Sequence, residues 1–463
     1  MATFLRALDV AEQRLEQIPF YYIFVPFFVL CGLILVFTIP PLQVPDENAH
    51  LIRAYQISGG TFISPQHKDT NGHLVSYHEK TPLSFLELNR FSQPFEWQHA
   101  FSSAHINSIL AMPLKAGNTT SIDIPNTGQY SPISYLPQAL AAWLGTQLGF
   151  SLGTIFYLMR SAAVCFAAAC VFLSMKLLQE KVLLISLIAL MPMSLYEFAS
   201  VSADSANFAL TMLITAFLLH LRSKAAHLDT KELALLLAAA LTLGLIKQVY
   251  GVILLLYFLI PSHVFGNKKS FYLLGLSLLA VFLAVSMAWT SVAYGGSEAL
   301  MGADSGIDPQ KQLDFIKHSP LQYIGILFAT LSENLAHHCK EFVGLLGWCV
   351  IQLPTPFYSL YAILLFMGSI SGKLALSLKQ RSLMVAGVLT SVFVIFLNQY
   401  LTWTPVGAPL IGGFQGRYVI PLALMMLASF SCLERLRYES LLACTSGLAS
   451  VIVTIWSLHD FFY

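Results

Sequence analysis

Apolar residues gather along this chain into long runs parted by short polar breaks: about 18 to 44, 155 to 176, 182 to 200, 205 to 221, 232 to 247, 249 to 265, 271 to 294, 354 to 370, 382 to 402, 417 to 433 and 440 to 458. Runs of roughly 20 apolar residues match the thickness of a bilayer core, so the pattern predicts eleven transmembrane helices. The first run follows Arg6, Asp9, Glu12, Arg14 and Glu16. That segment is too charged and too long for a signal-peptide n-region, and the run reads as an uncleaved span. In the charged segment before that run, Phe4, Leu5, Leu8, Ala11 and Leu15, continued by Ile18, recur at helical spacing, which predicts a short interfacial helix on the cytoplasmic face.

Two polar stretches interrupt the pattern. The first, 45–154, carries six of the thirteen histidines and seven acidic residues; a loop of that length between spans is usually functional. Inside it a helix is predicted from Asp46 to Ser58, capped by Asp46 and ended by Gly59-Gly60, with an amphipathic or re-entrant segment from Ser131 to Gly149. The second runs from 295 to 353, and its part 321–353 reads as a partly embedded loop. The predicted organisation is an all-α polytopic membrane protein: a cytoplasmic interfacial helix (1–17), the first span (18–44), a large loop (45–154), spans two to seven (155–294), a second loop (295–353) and spans eight to eleven (354–463).

Composition agrees with this picture. Hydrophobic residues make up 56% of the 463 and charged residues 11%, against about 25% charged in soluble domains. The net charge of +1 leaves no basic field for nucleic acid. Fourteen of the 25 basic residues, including Lys176, Lys181, Arg222, Lys268, Lys269, Arg381 and Arg435, fall at the N-terminus or in alternate short breaks. The positive-inside rule then puts the N-terminus and those breaks in the cytoplasm and both long loops outside. The seven cysteines show no C-x-x-C spacing and imply no zinc or iron-sulfur site. Cys339 and Cys349 alone lie in a polar stretch that can face an oxidising compartment, and their pairing is left open.

Two adjacent carboxylates, Asp46 and Glu47, stand where the first span meets its outer interface. A helix N-terminus is expected to lower the pKa of Asp46 and keep it ionised as a general base. His50 is spaced to orient or neutralise one of the pair; the alternative is a cap followed by a solvated helix face. Lys247 and Arg417 lie at outer span ends, where they either snorkel or bind a ligand. Arg417 follows Gly412, Gly413 and Gly416, where backbone can approach a ligand closely. His337-His338-Cys339 is not assigned as a metal cluster, because adjacent residues rarely point at one ion. A magnesium or manganese ion on Asp46 and Glu47 is chemically allowed.

The motifs P-D-E-x-A-H-x-x-R-A-Y-Q-I-S-x-G from Pro45, Y-S-P-x-S-Y-L-P-Q-A at 130–139, M-P-M-S at 191–194, S-x-D at 202–204, K-Q-V-Y at 247–250, L-G-W at 346–348 and Q-G-R-Y-V-I-P at 415–421 resemble a family of bacterial multi-span proteins known as a domain of unknown function. That family in turn resembles the GT-C glycosyltransferases. Cys349-Val350 follow L-G-W here, where many relatives carry an acid. The resemblance implies a GT-C-like fold in the bacterial cytoplasmic membrane. It also implies inverting transfer, outside that membrane, of a sugar from a polyprenyl-phosphate donor to an envelope glycan or lipid-linked acceptor. A donor synthase is a candidate partner. Asp46 is expected to be the base with Glu47 beside it, and Arg417, Lys247 and Arg160 to bind the donor phosphate. His50, Arg53, Asp204 and Tyr418 are expected to bind substrate. The competing readings are a transporter or flippase of lipid-linked sugars and a non-catalytic envelope assembly subunit. The middle thirds of the runs are nearly free of ionisable residues and no internal repeat is visible, which favours transfer over transport.

Overall fold

The computed structural model describes residues 12, 18–68, 74–92, 101–115, 117–293 and 306–463. The expected helix over 1–17 lies outside them except for Glu12. Helix α1 (Tyr21–Thr38) is apolar throughout, and after a turn α2 (Glu47–Ser58) begins at the acidic motif. The loop then differs from the expected all-helical one. Its β1 (Gln66–Lys68), β2 (Leu74–Pro82) and β3 (Thr119–Asp123) form a three-stranded antiparallel sheet in that order, with Gln66 opposite Tyr77 and Thr81 opposite Thr120. Helices α3 (Leu83–Ser92) and α4 (Ser103–Leu110) lie between its last two strands. The expected segment 131–149 is a 3-10 turn (Pro132–Tyr135) running into α5 (Leu136–Gln147).

Helix α6 (Leu152–Leu177) starts at Ser151, whose hydroxyl accepts from the Thr154 N–H and satisfies an otherwise unpaired donor. The run 182–200 breaks into α7 (Val182–Ala189) and α8 (Pro192–Phe198), bent by 78°. Pro192 sits in the first turn of α8, where its missing N–H costs nothing but prevents a straight continuation of α7. Next come α9 (Ala203–Arg222), α10 (Thr230–Leu245), a 3-10 segment (Gln248–Leu259) and α11 (Lys268–Ala293). The remainder comprises α12 (Pro309–His318), α13 (Pro320–Gly344), a small hairpin of β4 (Leu345–Leu346) and β5 (Ile351–Gln352), α14 (Thr355–Ile370), α15 (Leu378–Thr402), a 3-10 turn (Gly416–Val419), α16 (Ile420–Ala428) and α17 (Glu439–Phe462). Thus 321–353 is mainly a continuous helix. Its apolar positions are interrupted by polar ones at nearly every turn, which is why it reads from sequence as a loop.

Among the described residues, six helices (α1, α6, α9, α11, α15 and α17) are long and apolar enough to cross a membrane, or seven if the bent pair counts as one span. The protein is an all-α polytopic membrane protein apart from its small sheets. Several of the eleven runs expected to cross form elements shorter than a full span. Helices α10 and α14 have 16 residues each, about 24 Å at 1.5 Å per residue, short of a hydrocarbon core of about 30 Å. The run 249–265 is a 3-10 segment of 12 residues, and α16 has only nine. Helix α9 is central, 83% of its apolar window being buried, whereas α11 is peripheral at 17%.

Basic side chains close one end of this bundle by bonding carbonyls at helix ends and turns. Lys181 donates to the carbonyls of Ser369 and Ser371, Arg222 to Ala375, Arg381 to Ser429 and Ser431, and Arg435 to Gln179. Such carbonyls lack partners within their own helices and favour cations. The charged residues of the motifs gather at other helix ends: the start of α2, the end of α8, the start of α9, the end of α10 and the turn before α16.

Candidate functional site

Asp46 departs from its expected role as a cap. Its backbone is left-handed (φ 60°), and its carboxylate makes no bond to the helix N-terminus. Instead Oδ1 accepts from Asn126 Nδ2 at 2.7 Å. Burial raises its pKa above the usual carboxylate range, with Arg417, Asn126 and Lys247 pulling the other way. The expected lowering by the helix is therefore corrected: the side chain points away from the helix N–H groups and into a partly desolvated space. Arg417 and Lys247 lie close enough to act on it electrostatically.

Glu47 is oriented elsewhere, and its expected place beside the base is corrected. It is fully buried in a bidentate pair with Arg160, Oε1 accepting from Nε at 2.8 Å and Oε2 from Nη2 at 2.5 Å. Oε1 also accepts from the Val201 N–H. Arg160 further donates to the carbonyls of Val36, Ile39 and Pro40. With every hydrogen-bonding direction of the guanidinium engaged and no exposed surface, Arg160 is not a phosphate ligand. The pair joins α1, α2 and α6. It also removes the carboxylate that a divalent ion on Asp46 and Glu47 would need. Among the described residues no three His, Cys, Asp or Glu side chains gather as a metal site.

Arg53 is corrected in the same way. It is buried and donates to the carbonyls of Tyr130, Thr61 and Phe62, clamping the loop after α2. His50 pairs with neither acid. Its Nδ1 lies 2.6 Å from the Tyr135 hydroxyl, its ring is parallel to that of Tyr130, and burial pushes its pKa down to about 3. It is neutral at pH 7 and fixes the orientation of the two tyrosines.

Four predicted residues do converge. Lys247 Nζ donates to Asp204 Oδ1 at 2.8 Å, and Arg417 Nη1 stands 3.9 Å from Asp204 Oδ2. Tyr418 lies under both cations, 5.0 Å from Lys247 Nζ and 5.6 Å from the Arg417 guanidinium carbon; Tyr130 lies 5.6 Å from Lys247. Such rings attract cations by their quadrupoles. The strongest partner of Arg417 escaped sequence reasoning: its Nη1 donates to Glu197 Oε1. An isolated acid in the apolar run 182–200 was the available signal, since ionisable residues inside membrane segments are rarely without function. Asn126 and Glu341 were also missed. Glu341 accepts from the Gly416 N–H at 2.7 Å and pairs with His338. Gly416 packs so tightly that a Cβ there would lie 1.9 Å from the His338 carbonyl oxygen. The turn bearing Arg417 is thereby fastened to α13. Cys339 and Cys349 are both free.

The two cations keep unused donors. Lys247 engages one of its three N–H groups with Asp204. Arg417 uses Nε on Gln415 and Nη1 on Glu197, and its Nη2 has no hydrogen-bond partner among the described residues. Beside Lys247 opens a cavity of about 460 Å³, whose lining includes Tyr130, Tyr250, Trp289, Gln399 and Tyr418. It lies among the end of α10, the 3-10 segment, α11 and α15. Unengaged N–H groups on paired cations, an adjacent carboxylate and a cavity of ligand size suit a substrate that carries an anionic group.

No curated protein and no solved structure matches the chain. Residues 28–426 match the family described as predicted membrane protein (DUF2142), a stretch that takes in the second half of α1, the acidic motif, the cavity and the Arg417 turn, and the chain belongs to that family.

Proposed function

We propose that this protein is a GT-C-like membrane glycosyltransferase of the bacterial cytoplasmic membrane, with its N-terminus inside and its site outside. It moves a sugar from a polyprenyl-phosphate donor to an envelope glycan or lipid-linked acceptor, with inversion. The observation that carries the reading is a pair of cations with unengaged donors, Lys247 on the wall of a cavity and Arg417 sharing Asp204 with it, near enough to Asp46 to act on its carboxylate. In this mechanism the Asp46 carboxylate takes the proton of the acceptor hydroxyl as its oxygen attacks the anomeric carbon. The bond from that carbon to the phosphate oxygen breaks, and the lipid phosphate leaves with the electron pair. Lys247 and Arg417 meet the charge that develops there. Arg417 offers a planar donor edge and Lys247 a mobile point charge. Asp204 and Glu197 hold both cations in place, so the phosphate shares Lys247 with Asp204.

Envelope glycan from cells lacking the gene should lose one hexose or pentose by mass spectrometry, and the wild-type gene should restore it. An unchanged glycan would overturn the reading. A second reading, translocation of the lipid-linked sugar, draws on the 78° break between α7 and α8, since transporters build substrate sites from broken helices. It requires uptake of labelled lipid into proteoliposomes without sugar transfer.

The pH profile carries a further expectation. Asp46 is active only when ionised, and burial raises its pKa. The acid limb of kcat/KM should therefore lie above the ordinary aspartate range, activity falling as pH drops through it. Asn126→Ala removes a hydrogen bond that favours the ionised form and should move the limb to still higher pH. A limb unmoved in that variant would exclude Asp46 as the titrating base.

A further inference from the structure

The cavity beside Lys247 differs from the charged cluster it adjoins. Of the residues that line it, Lys247 alone is ionised, and its charge is already matched by Asp204 at 2.8 Å. The rest of the polar wall consists of neutral amides and hydroxyls. Asn398 and Gln399, consecutive on the last turn of α15, bring two side-chain amides that have no hydrogen-bond partner among the described residues. Gln248, also on the lining, makes only a long contact, 3.4 Å, to the Thr290 hydroxyl. Trp289 also lines the cavity, and its indole N–H donates to the Gln129 carbonyl at 3.0 Å. That bond pins the ring and leaves its apolar surface on the cavity.

Each feature selects for the same chemistry. A primary amide offers two donors and one acceptor, a set that matches a hydroxyl, which both gives and takes a hydrogen bond. A fixed aromatic surface suits the C–H face of a pyranose or furanose ring. A carboxylated or phosphorylated sugar would need a second cation, and the lining has none; an ammonium-bearing sugar would need a carboxylate, and the lining has none. Burying such a charge without a partner is costly.

We propose that this cavity is the sugar subsite of the donor and that it takes a neutral, hydroxyl-rich sugar, with Asn398, Gln399 and Gln248 reading its hydroxyls and Trp289 supporting its ring. The inference rests on the donor reading above and narrows it: uronic acids and phosphosugars are excluded, and neutral hexoses and pentoses are admitted.

The test compares three probes on the full-length protein in nanodiscs: citronellyl phosphate, its glucosyl ester and its glucuronosyl ester. The glucosyl ester should bind about tenfold more tightly than the bare phosphate, the worth of one or two net hydrogen bonds. The glucuronosyl ester should bind no better than the bare phosphate. Asn398→Ala and Gln399→Ala should each reduce the glucosyl advantage while leaving affinity for citronellyl phosphate unchanged, which also shows that the variants are folded. Equal affinity for the two glycosyl esters, or an undiminished advantage in both variants, would overturn the neutral-sugar subsite while the phosphate site stands. Failure of all three probes to bind would overturn the donor reading and this inference with it.

Discussion

Asp46→Asn leaves the protein folded and reduces sugar transfer by about 10²–10⁴-fold, the usual contribution of a positioned base. The amide keeps the size of the carboxylate and can still bond Asn126, so the eluted volume and helical content of the detergent-purified variant should match those of the wild type. The difference lies in charge alone: an amide takes no proton from the acceptor. Asp46 is also the half of the acidic pair left available, since Glu47 is buried against Arg160. Transfer at the wild-type rate in this variant would remove the base from the mechanism.

Glu47→Gln has a different outcome, loss of the fold rather than of the chemistry. The substitution leaves Arg160 charged, fully buried and facing a neutral amide. Breaking a buried ion pair from one side costs about 3–5 kcal/mol, a large fraction of a typical folding free energy of about 5–15 kcal/mol. The same change removes a charged acceptor from the Val201 N–H, just before α9. Thermal unfolding of purified protein should show a strongly lowered midpoint, or extraction should yield aggregate. Replacing both partners with Glu47→Gln and Arg160→Met should recover part of the loss, because the uncompensated buried charge is then gone. A Glu47→Gln protein of unchanged stability but no activity would return Glu47 to the catalytic group.

The contrast between these neighbours shows where sequence reasoning reaches and where it stops. Hydropathy located the long elements: the runs at 155–176, 205–221, 271–294 and 382–402 appear as α6, α9, α11 and α15 within a few residues. It did not reveal which runs are long enough to cross, because 249–265 is as apolar as a true span yet folds as a short 3-10 segment. The three-stranded sheet was hidden by the polar composition of Leu74–Pro82, and α13 by its His, Glu and Lys residues. At the site, Asp46, Lys247, Asp204 and Arg417 were legible as chemistry-bearing residues at helix ends. Their partners were not. Whether Arg160 faces a ligand or Glu47 depends on how α2 and α6 dock, and the pairing of Arg417 with Glu197 joins residues more than two hundred positions apart. One-dimensional patterns specify burial far better than such pairings.

Binding of undecaprenyl phosphate to the purified protein, followed by native mass spectrometry, tests the claim on which the functional account depends. The wild type should retain one lipid phosphate, and Lys247→Ala should lose it while Lys181→Ala, at the opposite basic end, should not. Equal retention by the wild type and Lys247→Ala, or no retention by either, would contradict a lipid-phosphate site at Lys247 and Arg417.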